Sequence, residues 1–406
     1  MSRQLKWVTA LAVLTAVSVT PAAAQNPKEV KIAVAVPTTG PWARNGELHV
    51  KGAQQAVEDI NGQGGVKALG GAKLKLVVVD TGDSAEKAKN AAQRMLSANP
   101  DLVGGTGAFV SSFTLAVTEV TERAEVPWLT LSYSDQITSR GYKYVFQTSP
   151  TATRQAEDAL PVILALAKSA GATPKTVGII MDNTASPVSF TKPMREGGFD
   201  KLGLKLVVDE VFTPPLADAT SMVQKVRNVR PDVLLMLTTN IPDTKLVLEK
   251  LNEMGLGHGR IPVIGNGGHM GAPELLNVVG KDLLEGVMVI IANWAGKGQE
   301  ALIEEFTTKQ KEPWMTQDSI STYGDIWIFK EAMELAKSAD PKKVAAAMHS
   351  MEDTAASKYF PGAKLKFDAN GRRVGAELVI LQWQGGQPRP VYPASLATAQ
   401  ASWPKK

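Results

Sequence analysis

Few residues in this chain are placed to do chemistry, and most of those are uncharged. Two adjacent serines, Ser111 and Ser112, follow a glycine-rich turn in the stretch GGTGAFVSSFTLA, Gly104 to Ala116. Serines in such a place can attack a substrate, cap a helix or hold an anion. A nucleophile calls for a Gly-x-Ser-x-Gly elbow, and here Phe109, Val110, Phe113 and Thr114 surround the pair. A cap needs only one hydroxyl oxygen accepting a backbone N–H two or three residues on. An anion site uses the free N–H groups and positive end of a helix start, with a serine hydroxyl as a further donor. Gly104, Gly105 and Gly107 then let the backbone come close to a ligand, and a cap and an anion site are compatible.

Other candidate loops have the same character. They are PTTGPWARNGE (Pro37 to Glu47), LSYSDQ (Leu131 to Gln136), MDNTASP (Met181 to Pro187), TTNIPD (Thr238 to Asp243) and GNGGHMG (Gly265 to Gly271). Glycines, small hydroxyls and amides dominate them, so they suit hydrogen bonding to a ligand better than acid–base work. Trp42 and Tyr133 sit in such loops and are expected as ligand walls. Asn183, Ser186, Asn240, Asn266 and Gly267 are further candidates from these segments. His49, His258, His269 and His349 lack ligand-like spacing, so no metal and no cofactor are expected. The segment NGQGGV (Asn61 to Val66) lacks the ending of a phosphate loop and reads as a helix end and turn.

The elements that must carry these loops alternate between two kinds. Apolar, β-branched runs such as VKIAVAVP, KLKLVVVD, KTVGIIMD and PDVLLMLTT are separated by amphipathic segments of helical length. Strands that are apolar on both faces, divided by helices, mean parallel sheets covered on both sides. One series runs to Pro150 and a second begins after it, so the fold class is α/β with two doubly wound lobes. Such sheets bind ligands beyond the carboxyl ends of their strands, which places the site between the lobes. The later helices, Glu300 to Lys311, Asp318 to Ser338 and Pro341 to Met351, could complete the first lobe, and AELVILQW (Ala376 to Trp383) could return to the second.

Composition narrows the setting. Arg3 and Lys6, an apolar run from Trp7 to Val19 and the small residues Ala22 to Ala24 read as a secretory signal peptide cleaved after Ala24. The run is shorter than the roughly 20 residues of a membrane span. With no cysteine in 406 residues, disulfides, thiolate nucleophiles and a lipidated cysteine are excluded. The formal charge is only +4, two units of which leave with Arg3 and Lys6, so no nucleic-acid partner is expected. The chain exceeds the roughly 250 to 300 residues at which single cores stop growing, which again asks for two lobes.

The segment VKIAVAVPTTGPWARNGELHVKGAQQAVEDINGQGGV resembles the opening of leucine/isoleucine/valine-type substrate-binding proteins of ABC importers. The likeness lies in a strand followed by Thr-Gly-Pro, the spaced Gly46, Gly52 and Ala56, and the Ile60-Asn61 to Gly64-Gly65 ending. It continues through Gly105 to Pro150 and covers most of the chain beyond the signal peptide. The resemblance implies the type I periplasmic binding protein fold, with two doubly wound parallel-sheet lobes joined by a three-strand hinge, and a solute trapped by lobe closure. By position it makes Val110, Ser111 and Ser112, together with Leu131, Ser132 and Tyr133, the carboxylate site, and Tyr323 in STYGD a cleft residue. It also implies segments 25–148 and 291–366 in the first lobe, 149–290 and 367–395 in the second, and crossings near Ser149, Ile290 and Phe367, while the Pro-, Ala- and Ser-rich stretch from Gly385 to Lys406 is expected to be partly loose, with a loose tail over 396–406.

The chain departs from the leucine type in its second lobe. The acid that pairs the ligand ammonium in such proteins falls near Gly267, where GNGGHMG offers no carboxylate. Asp182 is the substitute expected here, and Asp243 the second. The reading is therefore a periplasmic, monomeric solute receptor that takes a small carboxylate-bearing ligand, an amino acid of branched-chain type first, and delivers it to the permease subunits of an ABC transporter. A non-amino-acid aliphatic or aromatic carboxylate or amide is the alternative ligand. A secreted serine hydrolase or a ligand-sensing module is the alternative class.

Overall fold

The computed structural model describes residues 27–403, so the expected signal peptide and its cleavage after Ala24 lie outside the described residues. The first lobe opens with β1 (Glu29–Val36), α1 (Ala43–Gly62), β2 (Lys73–Asp80), α2 (Ala85–Ala98), β3 (Leu102–Gly107), α3 (Ser111–Arg123), β4 (Trp128–Thr130) and β5 (Val145–Gln147). The chain then builds α4 (Ala152–Ser169), β6 (Thr176–Asp182), α5 (Ala185–Pro193), α6 (Phe199–Lys201), β7 (Lys205–Phe212), α7 (Thr220–Val229) and β8 (Val233–Leu237). It goes on through α8 (Ile241–Glu253), β9 (Val263–Asn266), α9 (Pro273–Val279), α10 (Lys281–Leu284) and β10 (Met288–Ile291). Three helices follow, α11 (Glu300–Gln310), α12 (Gln317–Ala336) and α13 (Pro341–Ser350), and two strands close the chain, β11 (Val379–Gln384) and β12 (Gln387–Tyr392).

Two sheets result. The first has the order β2-β1-β3-β4-β5, and its pairs are all parallel; the second has the order β12-β11-β10-β9-β8-β6-β7 and is parallel except at β11 and β12. Helices cover both faces of each, and the inner strands are buried on both sides, as with Ile32 to Val36 and Leu234 to Leu237. The later helices join the first lobe: Phe306, Ile320 and Val344 share one core with Val34 and Leu129. There α12 lies directly on α1, because a Cβ on Gly52 would stand 2.1 Å from the Ser319 carbonyl oxygen, so only glycine fits the crossing. Among the described residues no helix is long and apolar enough to cross a membrane.

The structure departs from the sequence expectations at three places. The segment of helical length that follows KTVGIIMD is two helices instead of one, because Pro193 interrupts the first and Gly197 at φ 105° turns the chain before α6. The tail expected to be loose is attached over its described residues, 396–403: Leu396 packs with the second lobe's core, and Ser402 donates its backbone N–H to Gln382 Oε1 of β11 at 2.8 Å. Phe367, where a third crossing is expected, still packs edge-on against Phe146 of the first lobe, and the chain crosses after it.

Candidate functional site

The loops at the strand carboxyl ends meet around a tight pocket of about 30 Å³ between the lobes, room for a water or two, and the free space around it, its open mouth included, is about 360 Å³. Its first wall comes from the β3–α3 turn, from the loop after β4 and from the start of α12. Its second wall comes from the start of α5 and from the ends of β8 and β9.

On the first wall, Ala108 and Phe109 hold φ of 66° and 45°. Two consecutive side-chain-bearing residues in the left-handed region store strain of a kind that collects at functional sites. This bend delivers the chain into α3, where Val110 precedes the helix and no side chain caps it. The first N–H groups of α3 are thereby left free at its positive end. Ser111 Oγ accepts the backbone N–H groups of Tyr133 and Ser134 at 3.2 and 3.1 Å, which leaves its own hydrogen to donate. Ser132 Oγ donates to the Phe109 carbonyl at 2.8 Å, and Tyr133 OH donates to Gln317 Oε1 at 2.5 Å. Burial raises the Tyr133 phenol, so it keeps its proton.

The second wall is built from smaller groups. Ser186 stands in the first turn of α5, and Thr239 Oγ1 donates to Asp182 Oδ2 at 2.7 Å. Asn266 Nδ2 donates to Gln155 Oε1 and to the Ile290 carbonyl at 2.8 and 3.0 Å, leaving Asn266 Oδ1 to accept. Gly267, at φ 116°, and Gly268 carry the chain to His269, which is buried with Nε2 3.3 Å from Thr238 Oγ1. Burial lowers His269 to about 3, so its ring is neutral.

No Asp, Glu, Lys or Arg lines the cavity among the described residues. Two buried carboxyls stand behind the lining. Asp182 accepts from Thr184 N, Thr184 Oγ1 and Thr239 Oγ1 at 2.9, 2.6 and 2.7 Å, and burial raises its pKa. Asp318 accepts from Asn45 Nδ2 at 2.7 Å, and burial raises it to about 7. A Cβ on Gly268 would stand 2.4 Å from Asp318 Oδ1 and 2.9 Å from Gln317 Nε2, so α12 fills the space that a side chain at 268 would take.

Of the residues singled out from the sequence, Val110, Ser111, Leu131, Ser132, Tyr133, Ser186, Asn266 and Gly267 line this cavity. Ser112 stands at its seam, with Oγ accepting the Ala185 N–H of the other lobe at 3.1 Å. The rest lie elsewhere. Trp42 packs edge-on against Phe113 at 5.3 Å within the first lobe's core. Tyr323 is a core residue, donating its hydroxyl to Asp59 Oδ2 at 2.7 Å and meeting the Tyr359 ring at 4.9 Å. Asn240 caps α8 through Asp243 N, Asp243 accepts the Leu216 N–H, and Asn183 bonds the Thr213 hydroxyl. Phe109, Thr239, Gly268, His269 and Gln317 line the cavity without having been singled out as ligand contacts. Four of these lie within loops already read as candidates. Gln317 opens α12 far along the chain, and the sequence signals only a helix start there.

Three comparisons bear on this architecture. Residues 29–387 match the family described as periplasmic binding protein. A Leu/Ile/Val-binding protein homolog 8 of Brucella abortus is 27% identical over 392 residues, which cover 93% of this chain and 94% of that one. A leucine-binding protein of Thermotoga maritima superposes with a TM-score of 0.74 at 21% identity, over 89% of this chain and 97% of its own. A solute-binding protein of an ABC transporter from R. palustris, in complex with benzoate, gives a TM-score of 0.74 at 17% identity, over 93% and 100%. The matched span contains every cavity-lining residue and both sheets up to the first residue of β12, and the chain belongs to the periplasmic binding protein family, with its type I α/β fold.

Proposed function

We propose that this protein is the periplasmic solute receptor of an ABC importer. It is exported by a signal peptide cleaved after Ala24, acts as a monomer, closes its two lobes on a small carboxylate-bearing solute and delivers that solute to the permease. The observation that carries the reading is the pocket's lining: it comes from both lobes, holds no charged side chain among the described residues, and is faced by the uncapped start of α3 with the Ser111 hydroxyl hydrogen to spare. A carboxylate there gains backbone donors and the helix dipole together. Hydrolysis fits the site less well, since His269 turns to Thr238 and Ser111 Oγ is held by two N–H groups.

An amino acid of branched-chain type is the first ligand class, by the names of relatives such as the Brucella protein. A neutral-tailed aliphatic or aromatic carboxylate is the second, and the absence of an acidic side chain from the lining favours it. An ammonium buried without a counter-charge costs several kcal/mol. Calorimetric titration with leucine and with its deaminated analogue, 4-methylpentanoate, separates the two. The amino-acid reading expects leucine to bind more tightly, with Asp182→Asn nearly abolishing that binding; preference for the analogue overturns it. Small-angle scattering with the binding compound should show the radius of gyration fall. If no carboxylate in a thermal-shift panel binds, the receptor reading itself fails.

A further inference from the structure

Two helix starts, one from each lobe, converge on the seam of the cavity. α3 begins at Ser111 and α5 at Ala185, and the bond from Ala185 N to Ser112 Oγ puts their first turns in contact. Each start carries roughly half a positive charge, so bringing two together is unfavourable unless negative charge lies between them. Neither is capped by its own N-cap side chain: Val110 has no polar group, and the Thr184 hydroxyl is donated to Asp182 Oδ1. Asp182 offsets part of the charge on the α5 side, with its oxygens already engaged by Thr184 and Thr239.

Ser186 is the second residue of α5, is only 9% exposed and lines the cavity, and among the described residues no group bonds its hydroxyl. Pro187, which follows, has no N–H, so Ser186 offers the last free backbone donor of that turn. The opposite wall also carries an unmet donor, Gln317 Nε2, which lies beside Gly268 and away from the seam, so the buried Ser186 hydroxyl is the unpartnered group at the seam itself.

We propose that Ser186 and the start of α5 form the second-lobe half of the carboxylate site, so that one ligand anion is held by both lobes at once and draws them shut. This rests on the reading of the cavity as a carboxylate site and deepens it. The solute's charge sits at the seam between the lobes, and its uncharged body lies towards Asn266 and His269.

The test uses the mature chain with leucine, 4-methylpentanoate and benzoate, continuing with whichever binds the unmodified protein most tightly. Stopped-flow mixing of Ser186→Ala should show dissociation about tenfold faster, as for a lost hydrogen bond to a charged group, with association unchanged. Ser186→Thr, which keeps the hydroxyl, should restore slow dissociation. Ser186→Asp puts a carboxylate of the protein's own at the seam; it should abolish binding and give the ligand-free protein the smaller radius of gyration of the closed form. Dissociation unchanged in Ser186→Ala, or a folded Ser186→Asp that binds as tightly as the unmodified chain, overturns the proposal. Failure of all three probes to bind the unmodified protein overturns the receptor reading instead.

Discussion

The two walls of the cavity are made differently. On the first wall, Ser111, Ser132 and Tyr133 are each fixed by bonds inside their own lobe, and the strained turn at Ala108 and Phe109 aims the start of α3. The second wall is backbone and small side chains, with two glycines, a serine without a partner and a neutral imidazole. A wall whose donors are pre-set can take a ligand without reorganising, whereas a wall of small groups can slide against it as the lobes meet. On the proposed reading of the cavity as the solute site, the contrast gives recognition to the first lobe and closure to the second.

The contrast can be broken most severely at Ser111. Ser111→Ala strips two buried N–H groups of their acceptor, so denaturant unfolding should show a loss of about 2 to 5 kcal/mol. The same variant should weaken carboxylate binding by about 1.5 to 3 kcal/mol in calorimetry. Unchanged stability would mean that the first wall is not pre-set.

A pH effect comes next, from the group behind the glycines. The Asp318 carboxyl is raised to about 7 from 3.8 by burial. Between about pH 4 and 7 the folded chain therefore keeps a proton that the unfolded chain has lost, and stability falls as pH rises through that window. Asp325, also raised to about 7, acts in the same sense, while His49, lowered to about 3, removes stability as pH drops below 6.5. Asp318→Asn should remove one share of the alkaline loss, so its unfolding free energy at pH 8 should exceed that of the unmodified chain by an amount on the order of a few kcal/mol, with the gain shrinking towards pH 4. Equal curves would place the titration elsewhere.

Gly268→Ala probes the sliding wall. Its Cβ would meet Asp318 Oδ1 and Gln317 Nε2 only with the lobes together, so overpacking of about 1 to 3 kcal/mol should appear as weaker ligand binding. The ligand-free unfolding midpoint should move less than the affinity. Ser112→Ala should be the mildest change, losing one interlobe hydrogen bond worth about 0.5 to 1.5 kcal/mol, read as faster ligand release at unchanged association rate. Association slowed instead would make Ser112 part of the recognising wall.

Local signals made the first wall legible in the sequence. A glycine turn and a serine pair followed by an apolar helix pattern mark the start of α3, and the strand after it leads into the loop Leu131 to Tyr133. The alternation of apolar runs and helices likewise carried the two-sheet architecture. What stayed hidden depends on tertiary placement. Trp42 and Tyr323 have types that suit a ligand wall, but the packing of Phe113 and Tyr359 claims them for the core. Gln317 reaches the cavity only because α12 crosses α1 at Gly52, a contact between residues far apart in the chain. Ser111 and Ser112, neighbours read together, separate because one faces the cavity and the other faces α5.

The pairing of β10 with β11 joins Met288 to Gln382, while the helices between them pack on strands made near the amino terminus. Neither sheet's lobe is thus a continuous piece of chain. The second sheet gains its β11 and β12 edge only when the last residues are present, and the first lobe lacks Phe306, Ile320 and Val344 from its core until the chain has passed through the other lobe. Folding must close loops of long sequence separation before these contacts reward it, which slows the process. A chain emerging amino end first therefore leaves both lobes incomplete until nearly all of it has been released.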